Sequence, residues 1–411
     1  MAGGVGGDSI RAMSRLPPAL RPLWPVAKRL HRLTTRWWGV LTRAWAPALG
    51  SRGVPTGAYA TSRSTAQHEP DAVTISYAES LPPIRREPPM GDPAGHHSFR
   101  DAAHVDLPDP YVMTVRGGTV VGDYAAIITP GRALDAETSE YFGIEGWREH
   151  PIFLRPRLPR VEEFDGRLAV LTTRGGTANY YHFLTDVLPR WETLRRLGPE
   201  PDALYVSTAA RYERELLALA GLDEHRIVEA GAERAVRARE LIVPSLPNPR
   251  EVAPAWVVDW LRGTFPAQVR ADLPTRIYLG RGNQPNTRRL VTEDRLWPEL
   301  EGRGFARIDP GSMSVRDQID HFAAAEVVVG VHGAALTNLV FARPGAKVLH
   351  LFAPTYVKHC FWAIAEEIPG VEYRYLVGEG RQPGPGGMTG VQDDVDLDPT
   401  AVLRVVDGWI S

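Results

Sequence analysis

The chain has 411 residues, 43% of them hydrophobic and 23% charged, a composition ordinary for a globular protein and a length that accommodates two domains plus an appendage. Its formal charge of −2 hides an asymmetry: up to residue 68 ten arginines and lysines face one acid, Asp8, for +9, while the remainder carries −11. A single cysteine, Cys360, excludes an intrachain disulfide and any cysteine-based zinc cluster, and fits a reducing cytoplasm.

The basic N-terminal segment interleaves Trp24, Trp37, Trp38 and Trp45 with Arg21, Lys28, Arg29, Arg32, Arg36 and Arg43. Cationic side chains beside indoles suit the headgroup layer of an anionic membrane, and a disordered basic tail is the competing reading. No run of about 18 uncharged apolar residues exists to span a bilayer, nor an h-region for a secretory signal. Nucleic acid is not expected as a partner, since the body of the chain is acidic and holds no reading module. The segment predicts a basic irregular extension and linker over residues 1–110, with 50–110 rich in Pro, Gly, Ser and charge.

Ordered structure is expected from Tyr111. Tyr111–Arg116 and Thr119–Ile128 flank Gly117-Gly118 and predict a hairpin. Strands follow at Leu168–Thr172, Leu204–Ser207, Arg226–Glu229 and Leu241–Val243; helices are expected over Thr177–Leu197, kinked by Pro189, and Arg211–Ala220. This alternation predicts an α/β lobe over 111–250, and the prolines at 244, 247, 249 and 254 mark a junction to a second lobe over 251–411. There Arg276–Gly280 and Phe305–Asp309 read as strands, and Ser314 with Asp317 caps a helix whose Val315, Ile319, Phe322 and Ala323 share a face. Val327–Val331, the turn His332-Gly333-Ala334, the helix Ala335–Phe341 and the strand Lys347–Phe352 then make a parallel βαβ unit. Its turn sits at a helix N-terminus, where free N–H groups and the dipole favour a phosphate, although such turns are common in α/β proteins. His332 and Asn338 are polar in an otherwise apolar run, so they cap backbone or face a ligand.

Two further constellations could carry chemistry. In Asn179-Tyr-Tyr-His-Phe-Leu-Thr-Asp-Val-Leu-Pro-Arg190, His182 and Asp186 are four apart and share a helical face. An imidazole beside a carboxylate makes an oriented general base; the alternative is a surface ion pair. In Arg276–Arg289, Arg281 follows a strand directly, and Arg288-Arg289 close a polar loop. Guanidinium forks bind phosphate oxygens bidentately, and with only three lysines in the chain phosphate binding must lean on arginine; solvated surface arginines are the alternative. Neither P-loop nor G-x-G-x-x-G spacing occurs here. No D-x-D metal motif is expected in the chain; Asp393, Asp394 and Asp396 come nearest to one and read as a polar loop.

Together, NYYHFLTDVLPR at 179–190, the arginine-bearing stretch from Tyr278 to Glu293 and SVRDQIDHFAAAEVVVGVHGAALTNLVF at 314–341 resemble glycosyltransferase family 61, the bacterial capsular polysaccharide biosynthesis type, over roughly residues 110–380. The resemblance implies a GT-B-like α/β fold, two Rossmann-like lobes facing a cleft. It implies inverting, metal-independent transfer of a sugar from a nucleotide-diphosphate donor to a glycan or other hydroxyl acceptor, with no cofactor. By position, Asp186 or His182 would be the catalytic base. Arg281 and Arg288 would contact the diphosphate, the Gly333 and Ala334 amides would cradle it, and His332 and Asn338 would line the donor pocket. Asn179, Arg190 and Glu293 complete the substrate-binding set. Thr292-Glu293 stands where the family has Asn-Glu, and His350 where an acid is usual. The implied setting is cytoplasmic, peripheral to the inner face of the cell membrane, in surface polysaccharide assembly. Two rival readings are a non-catalytic nucleotide-sugar-binding homologue and another Rossmann-type nucleotide-dependent enzyme.

Overall fold

The computed structural model describes residues 24–177, 179–280, 288–380, 390 and 393–411, with side chains from residue 33 onward. The chain forms two compact units, Met1–Leu81 with Asp109–Pro247 and Pro82–Pro108 with Asn248–Ser411, and each is α/β.

The first unit is built on a ten-stranded mixed sheet. Its parallel part runs in the spatial order Ala235–Pro244, Val161–Val170, Ala203–Val206, Ile227–Glu229. Leu168, Val170, Tyr205 and Leu241 are fully buried there, as strands covered on both faces require. The last strand in sequence therefore lies beside the first, and the order reverses between Val161–Val170 and Ala235–Pro244. The second unit carries a six-stranded, wholly parallel sheet in the order Ala306–Ile308, Arg276–Leu279, Val327–Val331, Lys347–Phe352, Glu372–Val377, Met90–Asp92. Here the order reverses between Arg276–Leu279 and Val327–Val331. Helices Val315–Ala324 and Pro399–Ile410 cover this sheet, with Val315, Ile319 and Phe322 buried on the expected face. Ser314 Oγ accepts the Asp317 N–H at 3.1 Å and caps the first of them.

Three expectations fail for local physical reasons. Tyr111–Arg116 and Thr119–Val121 do not form a hairpin: both pair antiparallel with successive parts of Ala235–Pro244. Gly117, at φ +68°, and Gly118, where a Cβ would lie 2.9 Å from Val115, form a kink inside one bent strand. The hairpin lies one strand later, between Thr119–Val121 and Ala126–Ile128.

Residues 50–110 are not an irregular linker. The helix Ser62–His68 and the strand Val73–Tyr77 belong to the first unit, and Met90–Asp92 adds an edge strand to the second. Their anchors are polar and hence poorly visible in a hydrophobic pattern. The buried Asp135 carboxylate accepts Ser62 Oγ at 3.0 Å, Thr65 Oγ1 at 2.5 Å and Thr138 N at 2.9 Å. Nor is the basic extension irregular throughout, because Trp24–Trp45 is a helix.

Candidate functional site

In open α/β sheets, ligands bind outside the carboxyl ends of the strands where the strand order reverses. Each unit has such a point, and each point coincides with one of the sequence constellations.

In the first unit, Val161–Val170 ends at the reversal, and the chain from 171 leads into the helix that holds His182. Asn179 caps that helix, its Oδ1 accepting Tyr181 N at 2.9 Å. The helix then widens into a π turn over Phe183–Val187, closed by Leu188 N to Phe183 O at 3.1 Å. The turn lets the chain pass Pro189, which has no N–H to donate and opens the next helix segment, Pro189–Leu197. Within it His182 Nδ1 lies 2.7 Å from Asp186 Oδ2. Both residues are buried, 7% and 4% exposed, so this is no solvated surface pair. The ring is held on its other sides by Phe142, with centroids 4.8 Å apart, and by Gly175. Gly175 has φ +71°, and a Cβ there would come within 2.7 Å of His182 Cδ2. Arg174 lies over the Phe142 ring at 4.4 Å and pairs with Glu140, which fixes the loop that supplies Phe142.

Arg190 is wholly buried. Its Nε donates to Pro244 O at 3.0 Å and its Nη1 to Thr172 O at 2.7 Å, tying the carboxyl ends of the two strands that flank the reversal. Desolvation lowers its pKa to about 10, opposed by the charges of Tyr111 and Asp186. Its N–H groups thus go to main chain, and it braces the floor beneath the His182–Asp186 pair.

In the second unit, Leu279 lies opposite Gly330 in the parallel register, so the chain leaving Leu279 and the turn after Val331 emerge side by side. Arg281 falls outside the described residues. Arg288 is described, with φ +77° and its main-chain N–H donated to Asp394 Oδ1 at 2.9 Å. Its guanidinium lies over the Tyr356 ring at 5.6 Å, and burial lowers its pKa. Among the described residues its Nε has no hydrogen-bond partner. A largely buried guanidinium nitrogen without a partner is costly.

Tyr356 meets His332 edge-on at 5.1 Å, and His332 stacks on His350 at 5.1 Å and 2°. His332 Nδ1 and His350 Nε2 are 3.1 Å apart, and His350 Nδ1 is 2.5 Å from the Tyr373 hydroxyl. Burial and the nearby Arg288 push the His350 pKa well below 6.5, while burial pushes that of Tyr373 well above 10. Both are therefore neutral at pH 7. With the Tyr373 O–H donated to His350 Nδ1, the His350 Nε2–H would face His332 Nδ1 and leave His332 Nε2 as an N–H donor.

The segment after this turn, Ala334–Phe341, is a 3₁₀ helix rather than an α-helix. Its first turn bond runs from Leu336 N to Gly333 O at 3.0 Å, leaving the Gly333 and Ala334 amides ahead of the helix without intrahelical partners. Gly333 itself is extended, φ −179°, a conformation open to any residue. Asn338 is fully buried and donates to Gln318 Oε1 at 2.8 Å and Ala335 O at 3.1 Å, tying this helix to Val315–Ala324. Glu293 starts the helix Glu293–Gly302 and pairs with Arg307 at 2.6 Å.

The acidic loop corrects one reading. The expectation that the chain holds no D-x-D sequence is wrong: Asp394-Val-Asp396 and Asp396-Leu-Asp398 both have that spacing. Two of their carboxylates are engaged locally: Asp394 Oδ1 accepts the Arg288 and Arg289 amides, and Asp398 caps Pro399–Ile410.

Sequence reasoning missed Phe142, Gly175, Tyr356 and Tyr373. Only Gly175, in the pair Gly175-Gly176 just before the His182 helix, left a sequence signal. The aromatics come from distant parts of the chain.

Residues 180–349 match a protein-family model described as Glycosyltransferase 61, so the resemblance that the motifs carry is shown over a stretch containing His182, Asp186, Arg288 and His332. That match supports glycosyltransferase activity. No curated protein matches the chain.

Proposed function

We propose, starting from a family match that names sugar transfer, that the protein is an inverting glycosyltransferase using a nucleotide-diphosphate sugar and a hydroxyl acceptor in surface polysaccharide assembly. The two units would serve as the two lobes of a GT-B arrangement, the first for acceptor, the second for donor.

The observation that carries the chemistry is the buried His182–Asp186 hydrogen bond. With Nδ1–H donated to the carboxylate, Nε2 keeps its lone pair, and this nitrogen takes the proton of the acceptor hydroxyl. The acceptor oxygen forms a bond to the anomeric carbon as the bond from that carbon to the diphosphate oxygen breaks. The nucleoside diphosphate leaves with the electron pair. A single displacement of this kind inverts the anomeric centre. Asp186 orients the imidazole and balances its charge once protonated, a role parallel to the carboxylate in other His–Asp pairs. Arg288, the Gly333 and Ala334 amides and the His332 Nε2–H are the groups that would meet the departing diphosphate, and positioned donors lower that barrier. Arg281 is proposed beside them from the sequence alone.

The test is transfer or hydrolysis of a panel of UDP- and GDP-sugars in the presence of EDTA, with CMP-sugars as the monophosphate contrast and thermal-shift titration of UDP, GDP and CMP. Turnover that persists in EDTA is expected. Turnover abolished by EDTA and restored by Mn²⁺ would refute the metal-independent part and turn attention to the D-x-D spacings at 394–398.

A further inference from the structure

The helix Trp24–Trp45 docks on the first unit by its smallest residues. Gly39 lets the Phe153 Cβ come close, Thr42 Oγ1 donates to Phe153 O at 2.7 Å, and Ala46, just past the helix, is fully buried. Trp38 Nε1 donates to Leu154 O at 2.9 Å, and Arg36 reaches Glu149 at 2.9 Å. These contacts fix the rotation of the helix. They hold Leu33, Trp37, Val40, Leu41 and Trp45 outward, between 50% and 72% exposed, with Trp37 at 72% and Trp45 at 71%. At helical spacing these five residues form one continuous stripe. A helix folding only for the stability of its own unit would bury that stripe, since each large apolar side chain contributes about 1.5–3 kcal/mol on full burial. Instead the small-residue face is buried and the large apolar face meets solvent.

We propose that this stripe lies in the headgroup layer of an anionic lipid membrane and anchors the protein there. Charge selects this occupant. The helix carries Lys28, Arg29, Arg32, Arg36 and Arg43 and no acid; Arg36 pairs with Glu149 and Arg43 lies over Trp147 and Phe153, so the charge left to a partner is that of Lys28, Arg29 and Arg32. A second copy docked on the same stripe would set those cations against their own kind, as a self-complementary dimer interface must. Anionic headgroups instead attract them, and tryptophans are favoured at that depth. The helix lies along the surface and does not cross it: among the described residues no helix is long and apolar enough to span a membrane.

Flotation of the full-length protein with phosphatidylcholine vesicles containing about 30% phosphatidylglycerol tests this. The wild type floats, and its binding falls at least about tenfold on pure phosphatidylcholine. The double variant Trp37→Glu, Leu41→Glu loses binding by a similar factor, because it places two charges in the lipid-facing stripe. Both positions are exposed, so its melting temperature and its hydrolysis of donor sugar in solution stay at the wild-type level. Three results overturn the proposal: no wild-type flotation with anionic vesicles, unchanged flotation of the double variant, or a lipid-free wild-type dimer in sedimentation that the double variant dissolves.

Discussion

The two strand-order reversals hold opposite kinds of electrostatics. In the first unit a buried imidazole and carboxylate already face each other, Nδ1 to Oδ2 at 2.7 Å, and Arg190 below them is spent on carbonyls. That site is internally balanced and held in place; it needs no ligand to be stable. In the second unit the largely buried Arg288 guanidinium lies over the Tyr356 ring and near His350, its Nε unpartnered among the described residues. Under the proposed function that unpartnered charge is what a diphosphate would meet. The contrast suits a division of labour in which one unit supplies a proton acceptor of fixed geometry and the other supplies unsatisfied positive charge.

The sharpest way to break the comparison is at the balanced site. His182→Ala removes the proposed base, and turnover is expected to fall by roughly 10²–10⁴-fold with nucleoside diphosphate binding unchanged. Asp186→Asn should cost a similar amount by releasing the tautomer, and full activity in either variant would dissolve the assignment. Arg288→Met probes the site in the second unit with two readouts of opposite sign. Nucleoside diphosphate affinity should fall roughly 10–100-fold for loss of a charge-assisted contact, while the unliganded protein melts no lower than wild type. A lowered melting temperature with unchanged affinity would show that the cation is structural.

Gly175→Ala separates positioning from folding. The added Cβ and the positive φ cost roughly 1–2 kcal/mol of stability, yet the push on His182 should lower kcat about tenfold or more, since small misplacements of a catalytic group cost more than their strain. Equal, small effects on both would mean that His182 need not be held.

A last effect, outside the two sites' chemistry, is on stability against pH, and both units share it. His150 in the first is pushed by burial to about 3, and His350 in the second is lowered by burial and Arg288. An unfolded histidine takes a proton near pH 6.5, while these folded ones refuse it. Stability is therefore full above pH 6.5 and falls as pH drops below it, by up to about 1.4 kcal/mol per pH unit for each group. For His150 the fall continues to about pH 3. His350→Gln, measured by denaturant unfolding at pH 7 and pH 5, should flatten that slope; an unchanged slope would mean that His350 titrates normally.

Where sequence reading succeeded, the cause is local. The βαβ run from Val327 to Phe352 and the helix after Ser314 declare themselves by apolar period and a cap, and His182 with Asp186 by their spacing. Gly117-Gly118 misled because two glycines serve a tight turn and a strand kink equally well; only the partner strand Ala235–Pro244 decides between them. Residues 50–110 were illegible because hydroxyls on a buried carboxylate, Ser62 and Thr65 on Asp135, leave no hydrophobic period.

The sequence by itself determined which residues could do chemistry: an imidazole four places from a carboxylate, arginines after a strand, a small-residue turn before a helix, and a cationic, tryptophan-rich front. Tertiary structure alone decided their condition. It buried the His182–Asp186 pair, turned Arg190 onto main chain, set the Arg288 guanidinium over Tyr356 and directed Trp37, Leu41 and Trp45 of the first helix outward. Composition fixes what a group can ionise or donate. Desolvation and partnership, which set whether it does so, depend on neighbours that lie far away along the chain.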